Sequence, residues 1–213
     1  MKRLNQQGAL KPLMFASLLS LSTFTSADIN DATVNDGKAV ATETSSMSAN
    51  SAKNTTPLNL NQIAERYIPE AEEVGEARLK IMFWKIYDAK LVASKGQWQA
   101  NSPFALSLTY LRDFDGEDIA SRSVDEMRDI GYEDEVELAK WYEQMRSVFP
   151  NVKEGENITG VLDTNKHTHF YYQGKLIGSI DDISFGQSFF DIWLHKNTSE
   201  PEMRKQLLGM TKD

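Results

Sequence analysis

The apolar period of this chain switches from two to between three and four, back to two, and out again, and that order restricts the architecture more than any other feature. Over residues 79–93 the chain is rich in β-branched, aromatic and apolar side chains, and Tyr87, Ala89, Leu91 and Ala93 alternate with Asp88, Lys90 and Val92. This reads as two strands, the second with Tyr87 on its apolar face. Phe104, Leu106, Leu108 and Tyr110 then alternate with Ala105, Ser107 and Thr109, a half-buried strand whose apolar parity extends to Arg112.

The period next lengthens. Asp115-Gly116-Glu117-Asp118 opens a helix carrying Ile119, Ala120, Val124, Met127 and Ile130 to about Gly131, with acidic groups in the first turn, where the helix dipole favours them. Leu138, Trp141, Tyr142, Met145, Val148 and Phe149 form a second amphipathic helix that Pro150 stops. Strands return at 158–162, 168–172 and 175–180, the last two joined at Gln173-Gly174 as an antiparallel meander. Phe185, Phe189, Ile192 and Trp193 mark a third helix, and residues 201–208 a short fourth with Gly209 as its left-handed cap. In the third helix Phe190 is the aromatic expected to face away from the core. Strands, two helices, strands, two helices: this segregation predicts an α+β fold, an antiparallel sheet with helices packed on one face.

With 213 residues, 40% of them apolar, the chain holds one core-bearing domain, expected over 58–213. Ahead of it, Lys2, Arg3 and Lys11, the apolar stretch 12–24 and Thr25-Ser26-Ala27 have the layout of a secretory signal peptide over 1–27. Its apolar core is well short of the ~20 residues needed to cross a bilayer, so no transmembrane segment is expected after cleavage, and the mature protein is expected in the periplasm or secreted. Residues 28–57, dominated by Ser, Thr, Ala, Asn and Asp, read as a disordered linker. There is no cysteine, so stability rests on the core without disulfides. The net charge of −8 becomes about −11 once the three basic residues of the signal peptide are removed. Such a body repels nucleic acid and anionic headgroups, and both are expected to be poor partners.

Several ordered blocks carry a resemblance: Val74-Gly75-Glu76-Ala77, Ile86-Tyr87-Asp88-Ala89-Lys90-Leu91, Leu108-Thr109-Tyr110-Leu111-Arg112-Asp113-Phe114, Arg122-Ser123-Val124-Asp125-Glu126-Met127, Phe149-Pro150-Asn151-Val152, Ile158-Thr159-Gly160-Val161, and the run 185–209. Together they resemble the bacterial exported branch of the chalcone isomerase-like family. The resemblance implies the open-faced β-sandwich of chalcone isomerase. It also implies a cleft between sheet and helices where an arginine after a Gly-containing turn and a strand Thr or Tyr meet the polar end of a ligand, as in the related fatty-acid-binding proteins.

Carried onto this chain, the candidate ligand-binding residues are Tyr87, Arg78, Arg112 and Tyr110. An arginine binds a carboxylate through two parallel hydrogen bonds, and a tyrosine hydroxyl adds a donor. The expected function is binding of a small amphipathic molecule, a fatty acid or an aromatic acid, without catalysis. One alternative is a protein-interaction module of the cell envelope, and another an intramolecular lyase or isomerase of chalcone isomerase type. Against the last, the helix after Asp115 offers Ser121, Arg122, Ser123, Asp125 and Arg128 but none of the Tyr, Lys or Asn side chains such an enzyme uses. No phosphate loop, CxxC or Ser-His-Asp order is present, and neither cofactor nor metal is expected. His167 and His169, with Asp163 nearby, have a spacing that suits a metal, but Asn165-Lys166 places them beside an exposed turn.

Overall fold

The computed structural model describes residues 56–210. The expected signal peptide over 1–27 lies outside the described residues, as does the linker over 28–57 except for its last two positions. The elements are α1 (Leu60–Ala64), β1 (Ala71–Ile81), β2 (Trp84–Ser94), β3 (Phe104–Tyr110), α2 (Gly116–Asp129), α3 (Glu135–Val148), β4 (Asn157–Leu162), β5 (Thr168–Tyr172), β6 (Lys175–Ile180), α4 (Ile183–Leu194) and α5 (Pro201–Leu207). The six strands form one antiparallel sheet in chain order. The β5–β6 turn has positive φ at both Gln173 and Gly174, the two-residue geometry whose twist matches that of the strands it joins.

Strand alternation sorts the sheet into two faces. Ala77, Leu79, Ala89, Leu91, Phe104, Leu106, Leu108, Tyr110, Ile158 and Phe170 face the layer made by α2 to α5 and build the main core with Met127, Trp141, Met145 and Leu207. The other face carries Val92, Ala105, Val161 and Tyr171, and there α1 with Ile68 buries a second, smaller cluster. Elsewhere that face is polar, with ion pairs Arg78–Asp88 and Lys90–Glu73 and a buried Thr159–Ser107 hydroxyl bond of 2.8 Å. The fold is therefore the expected α+β sheet with its long helices on one face, and α1 is an additional cover on the other.

α4 departs from expectation in one residue. Phe190, expected to face elsewhere, is buried with Phe185, Phe189 and Trp193. The reason is Gly160 on β4, which has no side chain to occupy the space. A Cβ there would stand 3.0 Å from the Phe190 ring, which instead meets Phe104 edge-on at 4.8 Å.

Candidate functional site

β2 and β3 bring Tyr87 and Tyr110 together. They are direct register partners, their rings meet edge-on at 6.1 Å, and both face the helix layer. Trp193 of α4 donates its indole N–H to the Tyr87 hydroxyl at 2.9 Å. Burial is the main cause holding the Tyr87 phenol above its ordinary pKa; the Trp193 bond acts against it, and the charges of Glu126 and Glu200 add to it while Arg122 opposes.

Those three charges come from α2 and from the link between α4 and α5. On α2, Arg122 and Glu126 are one helical turn apart and paired, and Glu126 is 8% exposed. Ser199, in the link between α4 and α5, donates its hydroxyl to Glu126 at 2.9 Å. Beside it, burial first and then Glu126 raise the Glu200 carboxyl above its usual range, against Arg122. Among the described residues these polar groups lie as a nest between an aromatic sheet face and the helices, with the Arg122 charge set against those of Glu126 and Glu200.

Tyr110 differs from Tyr87 in one respect that matters chemically. Its hydroxyl has no hydrogen-bond partner among the described residues, although the residue is only 4% exposed. Nor is it sealed from solvent, as the unpartnered Trp98 Nε1, Gln144 Oε1 and Thr168 Oγ1 are. The oxygen therefore borders accessible space. Burial, and secondarily Tyr87, raise its pKa, so both phenols carry their protons at neutral pH and can donate.

The two arginine candidates are placed apart from this pair. Arg78 lies between Ala77 and Leu79, which face the helices, so its side chain leaves on the opposite face, where it binds Asp88 through two hydrogen bonds of 2.5 and 2.7 Å. Arg112 lies beyond the end of β3, is exposed, and covers the Trp84 ring at 4.1 Å to the centroid. The guanidinium whose charge Tyr87 feels is that of Arg122. Glu126, Ser199 and Glu200 escaped the sequence reading. Glu126 was traceable in principle, since it falls on the buried row of α2 with Ser123 and Met127.

The histidine pair diverges. His169 lies between Ser179 (2.8 Å) and Asp163 (2.9 Å), whereas His167 approaches Asp181 at 3.7 Å. Among the described residues no group of three or more His, Cys, Asp or Glu side chains is arranged to hold a metal.

Comparison with known proteins gives this geometry a lineage. An uncharacterized protein of Haemophilus influenzae is 25% identical over 142 residues, which span 66% of this chain and 69% of that protein. The crystal structure of a fatty-acid-binding protein of Arabidopsis thaliana matches with a TM-score of 0.52 at 10% identity, over 65% of this chain and 87% of the other, a likeness of fold. The family model described as chalcone isomerase-like matches residues 74–209, which hold every strand from Val74 onward, helices α2 to α5 and the whole polar nest. The chain belongs to the chalcone isomerase-like family.

Proposed function

We propose that this chain is an exported binding protein for a small amphipathic molecule, a fatty acid or an aromatic acid, which it holds without transforming it. The polar end of the ligand meets the hydroxyls of Tyr110 and Tyr87, and its apolar part lies among the aromatic side chains between sheet and helices. The observation that carries this reading is the Tyr110 hydroxyl, a largely buried donor with no partner among the described residues that borders accessible space. A largely buried hydroxyl without a bond is unfavourable, and a ligand oxygen would remove that cost. The family membership and the fatty acid bound by the plant protein of the same fold support the ligand class.

Charge refines the choice. Glu126 and Glu200 outnumber Arg122, so a ligand carboxylate enters more readily protonated than ionised. Native mass spectra of protein purified from a bacterial periplasm, recorded before and after organic extraction, test the proposal. A small molecule lost on extraction, with affinity that falls in Tyr110→Phe, is the expected result. A protein that is empty and takes up neither fatty acids nor aromatic acids refutes it.

A further inference from the structure

The β1–β2 hairpin ends in a two-residue turn of Met82 and Phe83, between the register partners Ile81 and Trp84. Such turns favour Asn, Asp or Gly, because one or both central residues take positive φ. Here Met82 takes φ 54°, a conformation that an unbranched side chain without a local hydrogen bond has no reason to prefer. Met82 is 84% exposed, Phe83 93% and Trp84 59%. Three consecutive large apolar residues thus stand at the tip of a hairpin, where turn chemistry asks for small polar ones.

The charged side chains nearest the turn on both strands are of one sign. Lys80 and Lys85 are direct cross-strand partners, an arrangement of like charges that destabilises a sheet unless an anion sits between them. Arg112 covers the Trp84 ring. Among the described residues no acidic side chain lies within ion-pair distance of any of the three. Asp88, which feels Lys85, is already held by Arg78. A chain whose net charge of −8 leads one to expect repulsion of anionic headgroups thus departs from that expectation at one point, a local cationic collar around an apolar tip.

From this arrangement we infer that the hairpin tip is a docking element for the surface of an anionic lipid bilayer. Met82 and Phe83 enter the headgroup boundary, Trp84 sits at the interface that indoles favour, and Lys80, Lys85 and Arg112 meet anionic headgroups. The acidity of the rest of the chain then orients it, with the tip toward the membrane and the body away. This inference is separate from ligand binding, and its test uses no ligand.

The absence of cysteine makes Phe83→Cys in the full chain a unique attachment point for an environment-sensitive fluorophore, with Val136→Cys, exposed on α3, as the control. With phosphatidylcholine vesicles containing phosphatidylglycerol, the label at 83 is expected to shift to the blue and be quenched by lipids bearing a nitroxide, and the label at 136 to do neither. Adsorption through any other segment leaves both labels alike. Replacing Lys80, Lys85 and Arg112 by Gln lowers vesicle affinity roughly a hundredfold, since each cation near an anionic surface is worth about fivefold, and 0.5 M salt has the same direction of effect. The inference is overturned if the label at 83 is indifferent to vesicles or responds no more than that at 136. It is equally overturned if the label becomes protected with rising protein concentration in the absence of lipid, which would assign the tip to a second copy of the chain.

Discussion

Tyr110→Phe separates the role of the site from the role of the fold, because the atom it removes has a place in the first and none in the second. The hydroxyl bonds to no described residue and the ring, packed against Tyr87 and Phe114, is retained. Losing a largely buried, unpaired hydroxyl relieves a desolvation cost, so stability rises by about 0–1 kcal/mol. A hydrogen bond to ligand is worth about 0.5–1.5 kcal/mol, so affinity falls roughly 2- to 13-fold. Tyr87→Phe behaves differently. It leaves the Trp193 indole N–H, now bonded at 2.9 Å, without an acceptor, at a cost of about 1–3 kcal/mol in stability. Urea unfolding of both variants, together with displacement of a fluorescent fatty-acid analogue, measures the four quantities. If Tyr110→Phe unfolds like the parent and binds the analogue equally well, the polar end of the ligand is not at these tyrosines.

Three further outcomes follow from the packing and the charges. Asp182→Ala removes the α4 N-cap, which accepts from the Ser184 and Phe185 amides, at about 0.5–2 kcal/mol, and orphans the buried Trp141 indole N–H at about 1–3 kcal/mol more, both read from urea unfolding. Lys140, the largest cause, holds the Asp182 carboxyl below its usual range, so this contribution is present above pH ~3.9 and lost as pH falls through the folded-state value. Gly75→Ala destabilises by about 1–3 kcal/mol, measured by thermal unfolding, because its methyl would stand 2.3 Å from the Gln206 carbonyl oxygen and 2.8 Å from that of Leu207 and push α5 off β1. Glu200→Gln is more stable than the parent at neutral pH and the gap closes on acidification, since the raised Glu200 pKa gives stability that is full below the ordinary Glu value and lost as pH rises. The same variant binds an aromatic acid with a weaker pH dependence, seen by titration calorimetry between pH 5 and 8.

How far the sequence could be read depended on whether one residue's neighbours settled its direction. β2 and β3 were legible because Tyr87, Ala89, Leu91 and Phe104 to Tyr110 alternate without interruption. The first half of β1 was not, since it is charged on its exposed face and its register shifts between Glu73 and Gly75, which breaks the period. The turn at Met82-Phe83 carries no Gly, Asn or Pro to announce it. Arg78 could have been placed from parity alone: with Ala77 and Leu79 inward, residue 78 points out. Arg112 shares the parity of the apolar face, but a parity argument holds only while the strand lasts, and β3 ends at Tyr110. Arg122, Glu126 and Glu200 come within electrostatic reach of Tyr87 only through the crossing of α2 and the α4–α5 link over the sheet, a tertiary fact that no local period encodes.

That crossing also bears on why binding, rather than ring closure, is the function proposed. Chemistry of the chalcone isomerase type passes through developing negative charge on an oxygen, and a site accelerates it by aiming fixed donors and positive charge at that oxygen. Around Tyr87 the balance is reversed. Arg122 is already engaged by Glu126, and Glu126 and Glu200 both oppose a negative charge at the phenol. The indole N–H of Trp193 is committed to the Tyr87 hydroxyl. A neutral polar group can accept from the two tyrosine hydroxyls without meeting that opposition, whereas an oxyanion would meet it in full. The nest therefore favours holding a ligand in its uncharged form over stabilising a charged transition state, and Glu126→Gln, which removes one of the opposing charges while keeping a hydrogen-bonding side chain beside Ser199, should strengthen binding of an aromatic carboxylate at pH 8. Unchanged or weaker binding of the carboxylate in that variant would show that Glu126 does not border the ligand.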